Sequence, residues 1–160
     1  TLHSTEGQGS VFAIQIPIGQ RQEPRAINKL ADLESELAGI SVLCIDNEVG
    51  IRAGMQALLS QWGCRVFSAA NLGEVLGQWQ LEAAPDIVLA DFHLDNDETG
   101  LALLQTLNYH WHTRLPAVVI SADNSLEVRE QVESAGYHFL AKPVKPAALR
   151  GVMRQLLLRQ

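Results

Sequence analysis

The segment that decides the fold is Ser41-Val42-Leu43-Cys44-Ile45, an apolar run that stops at Asp46-Asn47-Glu48. Three later apolar runs also stop at residues with reactive side chains. They are Ile87-Val88-Leu89-Ala90 before Asp91, Ala117-Val118-Val119-Ile120 before Ser121, and Phe139-Leu140-Ala141 before Lys142-Pro143. If the four runs are parallel strands, their ends lie at one edge of one sheet, where ligands of such sheets bind. That edge would hold two carboxylates, a hydroxyl and an ammonium group.

Between the apolar runs, apolar residues recur at helical spacing, which predicts that strands and helices alternate. A further short strand is predicted over residues 64–67, Asn124 is a candidate N-cap with Glu127 completing a capping box, and Pro146 suits the first turn of the last helix. Five strands alternating with five helices predict an α/β fold, with a doubly wound five-stranded parallel sheet and helices on both faces. The clearest helical stripe contains Ile51, Met55, Leu58, Leu59 and Trp62.

The composition describes one soluble domain with additional polar sequence. Of the 160 residues 47% are hydrophobic, and the formal charge is −6 at pH 7. No apolar stretch reaches the roughly 18 residues of a membrane span, so we expect no membrane contact by this chain and a cytoplasmic location, with any anchor upstream. The negative charge argues against nucleic-acid binding. Cys44 and Cys64 lie in or beside predicted strands, where we expect buried free thiols.

Three regions of the chain differ in composition. Residues 1–19 contain Gly7-Gln8-Gly9-Ser10 and a strand-like run over residues 11–18, in which Pro17 cannot donate to a β-ladder. Residues 20–38 are polar and charged and are interpreted as a linker, and residues 39–160 carry the strand–helix alternation. An apolar strand without its own sheet is a template for pairing. We therefore expect residues 11–18 to dock on the main domain or to form a homodimer with a second copy.

The four strand ends, taken in order, resemble the receiver domain of two-component response regulators. The resemblance covers about residues 40–158 and implies a flavodoxin-like sheet with the strand order 2-1-3-4-5. Residues 7–17 resemble the last glycine-rich turn and strand of a histidine-kinase ATP-binding domain. The chain is therefore interpreted as the C-terminal part of a hybrid sensor histidine kinase. It would contain a kinase remnant (1–19), a linker (20–38) and a receiver domain (39–160).

The resemblance implies a phosphoryl-transfer site. Asp91 would accept a phosphoryl group from a phosphohistidine on a kinase or a histidine phosphotransfer domain. A magnesium ion, held by Asp46, Asp91 and the backbone carbonyl of His93, would neutralise charge on the transferred group. Lys142 and Ser121 would each contact a phosphoryl oxygen. The chain would thus be a self-phosphorylating and autodephosphorylating acceptor, and kinase activity would belong to the parent protein.

The resemblance also implies a conformational switch and a means of timing it. Ser121 would turn inward on phosphorylation and Phe139 would follow, which changes the surface of the fourth helix, fifth strand and fifth helix, a second candidate dimer surface. His93 and Asp123 each lie two residues beyond a site residue. We expect both to set the lifetime of phospho-Asp91. The peptide bond before Pro143 is expected to be cis.

Asn47 departs from the receiver pattern, in which a second acid often occupies this position. One negative charge beside the ion is thereby lost. Asn47 is accordingly expected to be a weak metal ligand, and magnesium binding is expected to be weaker than in an acid-pair receiver unless Glu48 compensates.

Two other functions fit part of the sequence. The segment Asp95-Asn96-Asp97-Glu98-Thr99 matches the DxDxT signature of haloacid-dehalogenase-type phosphatases, which also form an aspartyl-phosphate. However, the predicted strand ends four residues earlier, at Asp91, and no later acidic pair for the metal follows. The chain could instead be a protein-interaction module whose site takes no phosphoryl group, a reading that only Asn47 favours.

Overall fold

The computed structural model describes residues 2–5, 9–12, 36–78, 83–95 and 98–158. Two short strands near the N-terminus, β1 (Leu2–Thr5) and β2 (Gly9–Phe12), pair antiparallel. The remaining elements alternate: β3 (Ser41–Ile45), α1 (Val49–Gln61), β4 (Arg65–Ala69), α2 (Leu72–Gln78), β5 (Ile87–Asp91), α3 (Gly100–His110), β6 (Ala117–Ser121), α4 (Leu126–Ser134), β7 (His138–Ala141) and α5 (Pro146–Leu157).

Strands β3 to β7 form one parallel sheet in the order β4-β3-β5-β6-β7. This is the order 2-1-3-4-5 within the domain, so the predicted fold class is confirmed. The three central strands β3, β5 and β6 are buried along their whole length. Such continuous burial is expected for a parallel sheet that is covered on both faces. The carboxyl ends of the central strands therefore meet in the middle of one sheet edge.

Two apolar cores lie on the two faces of the sheet. Alternate residues of one strand enter different cores: Leu43 and Ile45 belong to the first, and Val42 and Cys44 to the second. The first core takes buried residues from α2, α3 and α4, and the second takes them from α1 and α5. Helices therefore cover both faces, as predicted.

The start of α4 differs from the prediction. Ser125, not Asn124, is the N-cap, and its side chain accepts a hydrogen bond from the backbone N–H of Val128. The side-chain oxygen of Asn124 instead accepts a hydrogen bond from Arg129. Since the helix begins one residue later than the capping pattern indicates, Glu127 is not at the position that completes a capping box.

The N-terminal segment also differs from the prediction. Strand β2 (Gly9–Phe12) begins two residues before the predicted run over residues 11–18, and it pairs with β1 of the same chain. The expectation that this strand lacks a partner within the chain is therefore wrong for Val11 and Phe12. Strand β1 escaped prediction because Leu2-His3-Ser4-Thr5 contains a single large apolar residue. Residues 13–18 and linker residues 20–35 lie outside the described residues.

The last residues of the predicted linker pack against the domain that begins at β3. Leu37 is 0% exposed and belongs to the core beneath α1 and α5. Glu36 accepts a hydrogen bond of 3.0 Å from the guanidinium of Arg154 on α5. The carbonyl of Leu37 accepts a hydrogen bond from the thiol of Cys64. The chain is thus anchored to this face of the sheet before β3 begins.

Both cysteines are buried free thiols, as predicted. Burial raises the pKa of Cys44 to about 12, so this thiol is protonated at neutral pH. Within the part of the chain that the structure describes, no helix is long and apolar enough to cross a bilayer.

We expect Leu37→Ala to lower the free energy of unfolding by about 2–4 kcal/mol, because it removes a fully buried side chain from the core. Leu126→Ala deletes the same atoms from a side chain that is 69% exposed, and should change stability by less than about 0.5 kcal/mol. Urea denaturation followed by circular dichroism measures both. Equally small losses would show that Leu37 does not belong to the core.

Candidate functional site

The carboxyl ends of the strands bring three charged side chains into contact. The Nζ of Lys142 lies 2.8 Å from Oδ2 of Asp46 and 3.2 Å from Oδ1 of Asp91. The two aspartates are only 6% and 7% exposed. One ammonium group therefore bridges two nearly buried carboxylates, one directly after β3 and one at the end of the neighbouring strand β5.

Asp91 is the last residue of β5, and its backbone is held from two sides. The following N–H, of Phe92, donates a hydrogen bond of 2.8 Å to the carbonyl of Ile120 in β6. Gly100, the first residue of α3, donates its own N–H to the carbonyl of Phe92 at 2.9 Å. A Cβ added at Gly100 would collide with the carbonyl oxygen of Asp91. The start of α3 thus lies so close to the backbone of Asp91 that residue 100 has no room for a side chain.

The loop after β3 fixes Asp46. Its Oδ1 accepts a hydrogen bond of 2.9 Å from the backbone N–H of Glu48, and its own N–H donates to the carbonyl of Ala69 in β4. Arg52, one turn into α1, donates from Nη1 to the carbonyls of Asp46 and Asn47. The carboxylate of Asp46 is therefore held in place by neighbouring backbone as well as by Lys142.

Ser121 ends β6 and is 0% exposed. Its carbonyl accepts a hydrogen bond of 2.7 Å from the N–H of Lys142, which joins the ends of β6 and β7. Its Oγ accepts a hydrogen bond of 3.1 Å from the N–H of Asp123. No atom in the described part of the chain accepts a hydrogen bond from the Ser121 hydroxyl, so its proton is available for donation. The peptide bond between Lys142 and Pro143 is cis, as expected.

The charges of the site are not balanced within the protein. Burial raises the pKa of Asp91 above its usual value, although the positive charge of Lys142 opposes this shift and Asp46 adds to it. Burial lowers the pKa of Lys142, but the hydrogen bond to Asp46 and the charges of both carboxylates outweigh it, so this pKa is raised. Lys142 therefore stays charged, and two carboxylates share one ammonium.

The donor set fits a hard divalent cation. Carboxylate oxygens are preferred ligands of Mg²⁺, and the net negative charge of the two aspartates with one lysine favours an added cation. Among the described residues, no group of three His, Cys, Asp or Glu side chains could hold a metal by itself. A cation bound by Asp46 and Asp91 would complete its shell with waters and backbone carbonyls, as Mg²⁺ commonly does in proteins.

Asn47 is partly exposed and makes a contact that sequence analysis did not predict. Its Nδ2 donates a hydrogen bond of 2.7 Å to Oδ1 of Asp95, which lies in the loop after β5. The two residues are 48 positions apart in the chain, so no local pattern connects them. Gly100 was also missed, although a glycine that opens an apolar helix directly after Thr99, its N-cap, is a signal of close backbone approach.

The two residues predicted to flank the phosphoryl group are both exposed. The ring of His93 packs edge to face on the ring of Phe92, with 4.8 Å between ring centroids. The carboxylate of Asp123 accepts a hydrogen bond of 2.9 Å from the N–H of Ser125. Hydrogen bonds from the backbone and hydroxyl of Ser125 lower the pKa of Asp123, and the charge of His93 adds a smaller effect.

Phe139 is half-buried in β7 and is covered by α4. The guanidinium carbon of Arg129 lies 5.0 Å from the centroid of the Phe139 ring. The same guanidinium donates a hydrogen bond of 2.9 Å to Asn124 in the loop after β6. The ring is therefore linked to the loop that begins at Ser121.

A cavity of about 340 Å³ opens beside the charged group. Its walls include Asp46, Asp91 and Lys142, together with apolar residues of α1 and of the loop after β7. Gly50 and Gly54 of α1 also line it, and neither would meet another atom within 4 Å if it carried a Cβ. The site is therefore accessible from the side of α1.

The DxDxT stretch lies away from a strand end. Asp95 follows β5 by four residues, and its side chain is exposed. The phosphatase motif requires its first aspartate at the end of the strand, where Asp91 lies here. Asp97, the second acid of the motif, lies outside the described residues.

We expect Gly100→Ala to lower the midpoint of thermal unfolding, because a methyl group at this position must displace the backbone of Asp91. Gly151→Ala, in the middle of α5, meets nothing within 4 Å and should stabilise the protein by about 0.5–1 kcal/mol through helix propensity. Differential scanning calorimetry compares the two glycine-to-alanine changes. If both variants were more stable than the wild type, the close approach of Gly100 to the backbone of Asp91 would be contradicted.

Comparisons with known proteins agree with this geometry. The family model described as "Response regulator receiver domain" matches residues 42–154. The chain is 34% identical over 124 residues to Response regulator Rre1 of Synechocystis sp., which covers 76% of this chain and 53% of that protein. The chain thus spans about half the length of this curated relative.

Two solved structures illustrate the structural similarity. NtrX from Brucella abortus matches with a TM-score of 0.66 and 30% identity, over 74% of this chain and 27% of that one. The chemotaxis response regulator CheY4 of Vibrio cholerae matches with a TM-score of 0.64 and 23% identity, over 75% of this chain and all of that one; at this identity the likeness concerns the fold. Because the family model matches well over half of the chain, the chain belongs to the response regulator receiver family.

Proposed function

We propose that Asp91 is a phosphoacceptor that takes a phosphoryl group from a phosphohistidine on a kinase or a histidine phosphotransfer domain. The observation that carries this proposal is the single ammonium of Lys142, which lies between the buried carboxylates of Asp46 and Asp91 at 2.8 and 3.2 Å. A structural ion pair needs one carboxylate. A site that binds both a cation and a transferred anion requires a second carboxylate at the same ammonium.

In the proposed transfer, an oxygen of Asp91 attacks the phosphorus while the phosphorus–nitrogen bond of the donor breaks, and the electron pair leaves with the imidazole. Magnesium, when held by Asp46, Asp91 and the carbonyl of His93, would offset the charge of the phosphoryl oxygens. Lys142 would exchange its contact with Asp91 for a contact with one of these oxygens, which keeps its charge paired. Ser121 would donate its free hydroxyl proton to another.

Access for the donor is provided by the cavity beside α1. Its opening reaches both aspartates and Lys142, and the absence of side chains at Gly50 and Gly54 leaves room along the helix. A phosphohistidine side chain must come from a second domain, so that domain would pack against this part of α1.

The contacts around Ser121 support the proposed switch. To reach the phosphoryl group, the Ser121 side chain would give up its hydrogen bond from the N–H of Asp123, and the loop after β6 would move with it. That loop is tied through Asn124 to Arg129, whose guanidinium covers Phe139. A movement of the loop would therefore change the surface formed by α4, β7 and α5, which is also a candidate homodimer surface.

The remaining expectations concern the whole protein. We infer that the chain belongs to a hybrid sensor histidine kinase in the cytoplasm, with residues 1–19 as the end of the ATP-binding domain, residues 20–38 as a linker and the receiver from residue 39. The parent would be attached to the membrane, if at all, through upstream sequence. The supporting feature is the paired strand β2, which lies within the segment that resembles a kinase domain.

The acceptor function is tested with a small phosphodonor. Incubation of the chain with acetyl phosphate and magnesium should add one phosphoryl group, detected by intact mass spectrometry, and hydroxylamine should remove it because the product is an acyl phosphate. Asp91→Asn should abolish the label. Glu130→Gln makes the same carboxylate-to-amide change on the exposed side of α4 and should leave labelling unchanged, while chelation of magnesium should prevent it. A wild-type chain that takes no label would favour an interaction module instead.

The lifetime of phospho-Asp91 is expected to depend on His93 and Asp123. We expect His93→Ala and Asp123→Ala each to change the first-order rate of phosphoryl loss several-fold, because both residues lie two positions beyond a site residue and would flank the approach of water. The Asp123→Asn variant removes the negative charge but keeps the hydrogen bond, since its side-chain oxygen can still accept from the N–H of Ser125. The rates follow from the decay of the phosphorylated mass after the donor is removed. Unchanged decay in all three variants would refute the assignment.

A further inference from the structure

We propose that Asp95 is a positioning residue for the magnesium site, which holds the side chain of Asn47 with its carbonyl oxygen free for the ion. The inference rests on the proposed function, because the ion concerned is the one that phosphoryl transfer to Asp91 would use. It concerns the position at which receivers often have a second acid.

The contact between the two side chains determines the orientation of the amide. Oδ1 of Asp95 accepts a hydrogen bond of 2.7 Å from Nδ2 of Asn47. A carboxylate has acceptor oxygens only, so the NH₂ end of an amide can face it and the oxygen end cannot. Rotating the amide by half a turn would place two acceptors against each other. Asp95 therefore leaves Oδ1 of Asn47 on the far side of the amide.

The backbone of Asn47 is held independently of its side chain. Nη1 of Arg52 donates a hydrogen bond of 3.0 Å to the carbonyl of Asn47 and another to the carbonyl of Asp46. No residue in the described part of the chain donates a hydrogen bond to Oδ1 of Asn47. A carboxamide oxygen is a suitable ligand for a hard cation or for a water bound to one. Hydrogen bonds thus hold both the backbone carbonyl and the side-chain NH₂ group of Asn47, and its Oδ1 is left for the ion.

The same hydrogen bond joins the two loops that would hold the ion. Asp46 lies in the loop after β3, and the carbonyl of His93 lies in the loop after β5, and these strands are neighbours in the sheet. Because the acceptor is charged, the bond is stronger than one between neutral groups. It therefore helps to set the separation between two of the expected ligands.

This arrangement accounts for the missing second acid. The negative charge absent from residue 47 is present at residue 95, one hydrogen bond further away. An aspartate at both positions would place two carboxylates in contact, which is unfavourable without a bound cation. Asn47 and Asp95 are therefore a matched pair, and the expected weakness of Asn47 as a ligand is partly offset by its partner.

A double-mutant cycle on magnesium affinity tests the pairing. Isothermal titration calorimetry of the 160-residue chain with magnesium chloride should show about tenfold weaker binding for Asp95→Ala, the lower end of the effect of outer-shell partners. In an Asn47→Ala background the same change should have little further effect, because no amide remains to be held. Equal effects in the two backgrounds would overturn the inference, and so would a wild-type chain that binds no magnesium.

Further variants separate positioning from charge. Asp95→Asn keeps an acceptor but loses the charge, so it should weaken binding less than Asp95→Ala; Glu130→Gln removes an exposed charge on α4 and should have no effect. The double variant Asn47→Asp/Asp95→Asn exchanges the two residues. It keeps the net charge and a hydrogen bond between them, now donated by residue 95. It should bind magnesium at least as tightly as the wild type. Binding by the exchanged pair as weak as by Asp95→Ala would contradict the assignment.

Two controls make the outcome specific. Without metal, the midpoint of thermal unfolding should be the same in all variants, because the pair is at the surface, and only the increase on adding magnesium should differ. Labelling of Asp91 by acetyl phosphate tests the acceptor function separately. If Asn47 and Asp95 are coupled in magnesium binding but Asp91 takes no label, the proposed function is refuted and the inference is supported. If Asp91 is labelled but the two residues are not coupled, the inference is refuted and the proposed function is supported.

Discussion

The rest of the structure depends on the bridge that Lys142 makes between Asp46 and Asp91. Two carboxylates from neighbouring strands are brought out of water, and this desolvation is unfavourable unless a cation compensates it. Lys142 compensates one charge and leaves one; burial, together with the nearby charge of Asp46, raises the pKa of Asp91. A site in this state is stable enough to fold and still favours a second cation. With that second cation bound, two positive charges would face the two carboxylates, and Lys142 could then pair with an incoming anion.

The sheet holds the two aspartates and Lys142 together without long supporting loops. Parallel strands deliver their last residues to one edge, and the fully buried central strands β3, β5 and β6 fix that edge from both faces. Short loops then attach to each other through specific contacts: Gly100 against Asp91, Ser121 to the backbone of Lys142, and Asn47 to Asp95. The chemistry is thus concentrated in loops, and the rigidity comes from the strands beneath them.

The elements that sequence analysis located are those with strong periodic patterns. The strand Ser41–Ile45 was predicted with its observed bounds, and four of the five residues of the α1 stripe pack in the core. The errors fall where local signals are weak or compete. Asn124 and Ser125 are both good caps, and the contact of Asn124 with Arg129 decides between them. Leu37 follows a polar segment, and its burial becomes visible only when α1 and α5 are packed over it.

The sequence alone determined the class of fold and the identities of the reactive side chains, because hydrophobic periodicity and the ends of apolar runs are local properties that need no knowledge of the packing. It placed Asp46, Asp91, Ser121 and Lys142 at strand ends for the same reason. Only the tertiary structure decided which atoms meet: that Lys142 contacts both aspartates, that Gly100 touches the backbone of Asp91, and that Asp95 holds Asn47. The contacts of Lys142 and Asp95 join residues far apart in the chain, and the geometry of all three follows from the packing of strands and helices into two cores.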